Sequence, residues 1–311
     1  MIIAGVNIPK GEKVTVDIPI SRLPSNTQID MIAHVYRSEK EGPTLLVIGG
    51  VHGDELNGIE IIKRAERSKM FAKIKCGNVI AVPLLNVYGF LNYSRGVPDG
   101  KDVNRSFPGT KKGSLASRVA YTFTKEILPH ADIALDMHTG GGSIYNFPQS
   151  RAYAQDEEAI KLAEDFGMPL LIKGRLINKS LRKTAYQMGI PLVVFEGGES
   201  QRMDEKVIQK GLDGIERVMI ARGMIEGEMK RVRSKTIVDG TWIRASRSGI
   251  LKVVKKSGAK VKKGDLLGTI SGPYGLFEVK VKARKDGIIY GHNNQPVINQ
   301  GSALFHIGYT A

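Results

Sequence analysis

The first 230 residues alternate between short apolar runs and stretches with helical periodicity. Continuous apolar runs such as TLLVIGG and PLVVFE are typical of strands that are covered on both faces. The predicted strands are Ile29–His34, Thr44–Gly49, Asn78–Pro83, Ala131–Met137, Leu170–Ile172 and Pro191–Phe195. The predicted helices are Glu55–Ser68, Ser114–Ile127, Asp156–Phe166, Ser180–Met188 and Asp204–Arg222. This alternation predicts an α/β fold, a mixed sheet of mostly parallel strands flanked by helices.

The pattern changes after about residue 230. The following segments are short, β-rich and separated by glycine turns, as in SGILKVV, KKGDLLGTI and SALFHIG. Such spacing predicts a small all-β barrel or sandwich. We therefore expect two domains, residues 1–230 and residues 231–311, joined by a linker at Glu226–Lys235.

Composition narrows the class of protein. A chain of 311 residues with 41% hydrophobic and 25% charged residues is typical of a globular protein. The single cysteine, Cys76, excludes an internal disulfide and a cysteine-rich zinc module. The sequence has neither an apolar run long enough to span a membrane nor a signal-peptide pattern at its start, so we expect a cytoplasmic protein without a membrane partner.

The net charge of +15 is concentrated in the C-terminal part. From Arg231 onwards, 15 lysine and arginine residues face four acidic residues, so this part carries +11. A basic β-rich module could contact nucleic acid, but its lysine-rich loop SGAKVKKGD has no interleaved aromatic residues for base stacking. We therefore interpret the charge as a solvated surface and do not expect nucleic-acid binding.

The segment GGVHGDELNG contains the first candidate functional residues. His52 lies in a glycine-rich loop after a buried strand, and Glu55 follows three residues later at a predicted helix start. Residues with this spacing share one face, so both could bind one metal ion. A solvated loop histidine beside a glutamate stabilised by the helix dipole would give the same pattern.

A second segment, ADIALDMHTGGG, places His138 at the carboxyl end of a predicted strand, where it could be a third ligand. Two histidines and one glutamate leave a coordination position for water, as in catalytic zinc sites. Asp136, two residues earlier on the same strand face, could accept the free N–H of a ligand histidine or could be a solvated acid.

Two further segments supply polar groups. Glu196 directly follows the apolar run PLVVF, and a partly desolvated carboxylate suits general acid–base chemistry, although a loop acid satisfied by local N–H groups would give the same pattern. The loop YSRGVPDGKDVNRSFPG contains the adjacent pair Asn104 and Arg105, which could hold a carboxylate. Arg95 in the same loop could face a developing oxyanion or form a surface salt bridge. Most of these groups follow predicted strands, where open α/β sheets bind ligands.

The four motifs HGDE, DVNR, DMH and FEGG together resemble the succinylglutamate desuccinylase/aspartoacylase branch of the zinc carboxypeptidase superfamily. The resemblance covers roughly residues 44–200. It implies one Zn²⁺ per chain, bound by His52, Glu55 and His138. It also implies that Glu196 is the base that activates water, that Asn104 and Arg105 hold a substrate carboxylate, and that Arg95 assists the carbonyl.

The resemblance implies hydrolysis of a linear amide bond in a small N-acyl amino acid that carries a carboxylate. The alternative within the superfamily is a metallocarboxypeptidase that removes a C-terminal, acidic residue from a peptide or glutamylated protein. Tyr145 and Arg151 are candidates for the acyl pocket.

The C-terminal part resembles a biotinyl/lipoyl-carrier-like barrel-sandwich hybrid. Carriers of that kind present a modifiable lysine at a hairpin tip, but the corresponding tip here, Ser271–Glu278, has none. We therefore expect a structural role, or a role in forming a homo-oligomer.

Overall fold

A twelve-stranded mixed sheet organises residues 1–310, the part of the chain that this computed structural model describes. The strands are β1 (Ile2–Ile3), β2 (Val6–Asn7), β3 (Lys13–Arg22), β4 (Gln28–Arg37), β5 (Thr44–Ile48), β6 (Asn78–Val82), β7 (Ile133–Gly140), β8 (Ile144–Tyr153), β9 (Leu170–Gly174), β10 (Leu192–Glu199), β11 (Lys235–Arg244), β12 (Gly249–Val253), β13 (Lys260–Val261), β14 (Leu266–Ser271), β15 (Glu278–Lys282), β16 (Gly287–Asn293), β17 (Val297–Ile298) and β18 (Ala303–Thr310). The helices are α1 (Leu56–Arg67), α2 (Val87–Leu91), α3 (Leu115–Glu126), α4 (Glu157–Phe166), α5 (Leu181–Gln187) and α6 (Glu205–Ala221).

The large sheet has the order β13-β16-β18-β11-β9-β8-β10-β7-β5-β6-β4-β3. Its centre is parallel, with β5 between β6 and β7, and β7 beside β10. Antiparallel pairs flank this centre, including β8 with β10 and β3 with β4. The predicted mixed α/β fold is therefore confirmed.

Helices cover both faces of the sheet. On one face, α1, α4 and α6 pack Ile61, Phe166 and Val207 into one apolar core. On the other face, α3 and α5 contribute Phe123 and Leu181 to a second core. Because both faces are covered, the central strands are apolar along their whole length, as in the fully buried β5. None of the helices within residues 1–310 is both long and apolar enough to cross a bilayer.

Two long strands within residues 1–230, β3 and β8, are absent from the predicted set. Strand β3 alternates buried and exposed residues and contains Pro19 at the edge of the sheet. Strand β8 contains Pro148 and several buried polar residues, among them Asn146 and Gln149. Neither strand has the apolar run by which the other strands were predicted.

From Lys235 to Thr310, all regular elements of secondary structure are strands. Some of these strands are hydrogen-bonded to strands of the preceding part of the chain. Strand β11 pairs in parallel with β9, and β16 pairs with β8. Strands β8, β9, β11, β18 and β16 thereby form a closed ring of five strands. A second, four-stranded sheet, β15-β14-β12-β17, completes the region around its own apolar core. The division into two independent domains stays a prediction.

Candidate active site

His52 and Glu55 lie in a tightly packed loop between β5 and α1. Gly53 passes so close to the backbone of Gly89 that a Cβ atom there would lie 1.9 Å from the Gly89 carbonyl carbon. This packing buries His52 and Glu55, which are 3% and 1% exposed. Glu55 is the N-cap residue of α1, but its side chain makes no capping hydrogen bond. Its carboxylate is instead turned towards the histidines.

His138, on the buried strand β7, completes a cluster with these two residues. Nδ1 of His52 lies 2.7 Å from Oε1 of Glu55, and Nδ1 of His138 lies 2.8 Å from Oε2. The two Nδ1 atoms are 3.1 Å apart. One potential ligand atom from each residue therefore lies within 4.8 Å of the others, and all three residues are buried.

The outer nitrogen of each imidazole meets another carboxylate. Nε2 of His138 lies 2.9 Å from Oδ2 of Asp136, and Nε2 of His52 lies 3.2 Å from Oδ1 of Asp102. If each Nε2–H donates to its carboxylate, both Nδ1 lone pairs face the Glu55 carboxylate. Such a convergence of electron-rich atoms fits a bound divalent cation, and the donor set is one that zinc prefers.

The charges of the cluster also fit a cation. Burial by itself would lower the pKa of His138, but Asp136 and Glu55 outweigh it and raise this pKa well above its usual value. Burial opposes ionisation of Glu55, yet His52 and His138 hold the pKa of Glu55 well below its usual value. The three carboxylates Glu55, Asp102 and Asp136 thus favour positive charge at the centre of the cluster.

Glu196 lies near the end of β10, next to His138 in the parallel register of β10 and β7. Its side chain is 15% exposed and lines the same cavity as the cluster. The Asn146 amide donates to Oε2 at 2.8 Å, and Nη1 of Arg151 lies 3.5 Å from Oε1. The structure therefore places the predicted base beside the cluster of His52, Glu55 and His138, with each carboxylate oxygen facing a donor from β8.

Arg95 lies against the cluster. Its guanidinium donates to Oε1 of Glu55 at 3.1 Å and pairs with Oδ2 of Asp102 at 3.1 Å. These are the two carboxylates that contact His52, so Arg95 forms more than a surface salt bridge.

Asn104 and Arg105, the pair predicted to hold a carboxylate, both line the cavity. Each of them already makes a hydrogen bond within the protein. Oδ1 of Asn104 accepts a hydrogen bond from the Leu181 amide at the start of α5, which leaves its NH₂ group for a ligand. Arg105 is exposed and donates to the Asn104 carbonyl.

The cavity around these groups has a volume of about 330 Å³. It also contains residues that the sequence did not single out, namely Arg182 on α5, Trp242 on β11 and His306 on β18. Asp102, which contacts His52, lies in the DVNR motif but was given no role of its own. The DVNR motif could have identified Asp102; no comparable motif marks Arg182, Trp242 or His306.

Arg182 and Arg151 form a cationic side of the cavity. Burial, together with the nearby charge of Arg151, lowers the pKa of Arg182 to about 10. Nη2 of Arg182 donates to the Arg175 carbonyl, whereas Nη1 is buried without a hydrogen-bond partner among the described residues. A buried guanidinium with a free N–H group favours an anionic ligand.

The predicted acyl-pocket candidates have different positions. Arg151 lines the cavity. Tyr145 instead donates its hydroxyl to Asp204 at 2.9 Å and packs against His292. It therefore joins β8 to the start of α6 and to the C-terminal strands.

The C-terminal strands supply an aromatic wall. Trp242 and His306 are paired across β11 and β18, and their rings stack with centroids 4.2 Å apart. Tyr290 lies on the other side of His306, with its hydroxyl 2.5 Å from Nε2. Burial lowers the pKa of His306 to about 3, and Arg151 adds to the effect, so this imidazole is neutral. His306 therefore lines the cavity as an uncharged side chain.

Comparison with known proteins identifies the family. A family model described as the succinylglutamate desuccinylase/aspartoacylase catalytic domain matches residues 41–222. The chain belongs to this family. The resemblance inferred from the four motifs is therefore confirmed, and membership in the succinylglutamate desuccinylase/aspartoacylase family indicates a hydrolase that acts on amide bonds.

Several known proteins are similar to this chain over nearly its whole length. N-alpha-acetyl-L-2,4-diaminobutyric acid deacetylase of Halomonas elongata is 28% identical over 305 residues, which cover 92% of this chain and 88% of that protein. A succinylglutamate desuccinylase/aspartoacylase from Rhodobacter sphaeroides superimposes with a TM-score of 0.85 at 26% identity, over 96% of each chain. The product-bound ectoine utilization protein of Ruegeria pomeroyi shares the fold, with a TM-score of 0.87 at 24% identity over 97% of each chain.

Proposed function

We propose that the chain is a zinc-dependent deacylase that hydrolyses the amide bond of a small N-acyl amino acid. The convergence of His52, Glu55 and His138 beside Glu196 in one cavity carries this proposal. Family membership and the deacetylase relative support deacylase activity on N-acyl amino acids. The relative's name suggests an N-acetylated amino acid with a short side chain as the first substrate to test.

His52, Glu55 and His138 would hold one Zn²⁺. A zinc ion in such a site polarises a carbonyl group and makes water acidic enough to serve as a nucleophile near neutral pH. Asp102 and Asp136 would keep both imidazoles in the tautomer that directs Nδ1 to the ion.

Glu196 would transfer the protons of the reaction. Its carboxylate accepts a proton from the attacking water and returns it to the leaving nitrogen, so that the products are a carboxylic acid and an amine. Arg95 would stabilise the negative charge that develops on the carbonyl oxygen, because its guanidinium already lies against the cluster.

The basic groups of the cavity would hold the carboxylate of the amino-acid portion. Asn104 retains a free NH₂ group, and Arg105 is exposed at the cavity. Arg182 adds a guanidinium whose buried Nη1 has no hydrogen-bond partner within residues 1–310. A planar guanidinium can bind a carboxylate through two hydrogen bonds, which fixes the orientation of the scissile bond.

The deacetylase relative favours a deacylase over a carboxypeptidase, and the size of the cavity agrees with a small substrate. Trp242 and His306 from the C-terminal strands form part of its wall. A small N-acyl amino acid fits within the cavity volume of about 330 Å³.

Metal analysis combined with a substrate screen tests the proposal. We expect one zinc per chain, loss of turnover on chelation and recovery when zinc is added back. The screen compares N-acetyl and N-succinyl amino acids, including N-alpha-acetyl-2,4-diaminobutyrate, with peptides that have free or amidated C-termini. Preferential turnover of peptides with free C-termini would instead support the carboxypeptidase.

The variant Glu196→Gln tests the base. We expect it to retain zinc while kcat falls at least about 100-fold, since a positioned base contributes about 10²–10⁴-fold. Wild-type turnover in the zinc-loaded variant would show that Glu196 is not the base.

A further inference from the structure

Strand β8 supplies both side chains that face the Glu196 carboxylate. Asn146 donates through Nδ2 to Oε2, and Arg151 approaches Oε1 from a position five residues later. The pairing of β8 with β10 fixes this arrangement, because Asn146 lies opposite Gly198 and Arg151 lies opposite Val194. The register shifts between Glu196 and Gly198, which brings Asn146 within reach of the carboxylate.

The other edge of β8 connects Asn146 to the C-terminal strands. Asn146 pairs with Gly291 of β16, and it is only 6% exposed. A Cβ atom on Gly291 would lie 3.0 Å from Oδ1 of Asn146 and 3.4 Å from Cβ of His306. The absence of a side chain at Gly291 therefore leaves the Asn146 amide just enough room for its present position.

We propose that Asn146 is a positioning residue for Glu196, and that Gly291 of the C-terminal region keeps Asn146 in this position by leaving room for its amide. This inference rests on the proposed function, because it matters for turnover only if Glu196 transfers protons. The C-terminal strands would then act on the reaction through β8, as well as forming a wall of the cavity.

The chemistry of the carboxylate explains why an amide is suited to this position. With Oε2 engaged by the Asn146 N–H, the carboxylate plane is fixed and Oε1 is held 3.5 Å from Nη1 of Arg151, beyond ordinary hydrogen-bond length, so Oε1 can still accept the water proton. Without the amide, the carboxylate is free to rotate closer to the guanidinium of Arg151. A closer, hydrogen-bonded pair with Arg151 would occupy the oxygen that has to accept the proton.

Two substitutions at Asn146 test the proposal. We expect Asn146→Ala to lower kcat about 10- to 100-fold, the typical effect of losing one hydrogen bond to a charged group. KM should stay within about threefold, since Asn146 does not hold the substrate. Asn146→Asp keeps the shape but replaces the donor with a negative charge, so kcat should fall at least as far. Zinc content should equal that of the wild type in both variants.

Asn293→Ala is the matched control. Asn293 is a buried asparagine on the neighbouring β16, and its amide donates to the Ala303 carbonyl instead of Glu196. It should lose stability without a comparable loss of kcat. An equal loss of kcat in Asn146→Ala and Asn293→Ala would assign Asn146 a merely structural role and overturn the proposal.

Gly291→Ala tests the connection to the C-terminal strands without removing a polar group. We expect kcat to fall several-fold with unchanged zinc content, because the new methyl group displaces the Asn146 amide. Gly174→Ala is its control, since a Cβ atom there meets no atom within 4 Å. Unchanged kcat in Gly291→Ala would overturn the role of Gly291.

Glu196→Gln, measured in parallel, separates this proposal from the proposed function. If Glu196→Gln keeps turnover, Glu196 is not the base and both proposals fail. If Glu196→Gln is inactive while Asn146→Ala stays within twofold of the wild-type kcat, only the positioning role of Asn146 is overturned.

Discussion

Nε2 of His138 lies 2.9 Å from Oδ2 of Asp136, two residues earlier on the same strand. The two side chains share one face of β7, so the strand geometry itself delivers both the imidazole and the carboxylate that orients it. The contact directs Nδ1 of His138 towards Glu55.

Asp136→Asn should weaken zinc binding about 10- to 100-fold, because an amide fixes the orientation and basicity of the imidazole less well than a carboxylate does. Competition with a chromophoric chelator measures the zinc Kd. Asp132→Asn is the control, since Asp132 directly precedes the same strand and accepts from the Thr44 amide, away from the cluster. Equal zinc affinities for the wild type and Asp136→Asn would contradict the orienting role.

Arg182→Met should raise KM for N-acyl amino acids and lower kcat/KM at least about 30-fold, because a desolvated charge that binds a carboxylate contributes about 2–5 kcal/mol. Methionine keeps much of the volume, so the loss would reflect the charge. Steady-state kinetics on the best substrate of the screen provide the measurement.

Lys183→Met, at the adjacent position of α5, is the control for Arg182→Met. Lys183 donates to Asn178 at the surface and does not line the cavity. Similar kinetics for Arg182→Met and the wild type would place the substrate carboxylate elsewhere.

Trp242→Ala should shift the substrate preference towards bulkier substrates, because removing the indole enlarges the cavity where the C-terminal strands line it. The ratio of kcat/KM for a long acyl chain to that for acetyl should rise about tenfold, as expected when one or two methylene groups gain space. Tyr274→Ala, at an exposed hairpin tip, is the aromatic control. An unchanged ratio in Trp242→Ala would show that the substrate does not reach this wall.

His292 should make the protein less stable in acid. Burial lowers its pKa to about 4, and Lys256 adds to the effect. Nδ1 accepts from the Ser257 amide, so protonation would set two N–H groups against each other. The unfolded chain, with a pKa near 6.5, binds a proton that the folded protein excludes. Stability from this group is therefore present above about pH 6.5 and is lost as the pH falls towards 4.

Denaturant unfolding of the wild type and His292→Asn between pH 7 and pH 4.5 checks this. The free energy of unfolding should fall about 2 kcal/mol further in the wild type than in the variant over this interval. A difference between the two proteins that does not change with pH would contradict a depressed pKa at His292.

Apolar runs made most strands of residues 1–230 predictable. Strand β5 is buried along its whole length, so its sequence TLLVI contains no polar interruption. Each predicted strand and helix corresponds to an element of the structure within a few residues. Strand β8 was missed because its pattern follows the polar groups of the cavity, with Asn146 and Arg151 in place of apolar residues.

The sequence alone was enough to predict the functional residues that lie at strand ends and in short motifs. His52 with Glu55, and Asp136 with His138, are close in the chain, so their spacing already fixed which atoms share a face. The places of Asn146, Trp242 and His306 in the site depend on the tertiary fold. Their positions follow from the pairing of β8 with β16 and of β11 with β9 and β18. Such contacts join segments far apart in the chain, and no local pattern of residues specifies them.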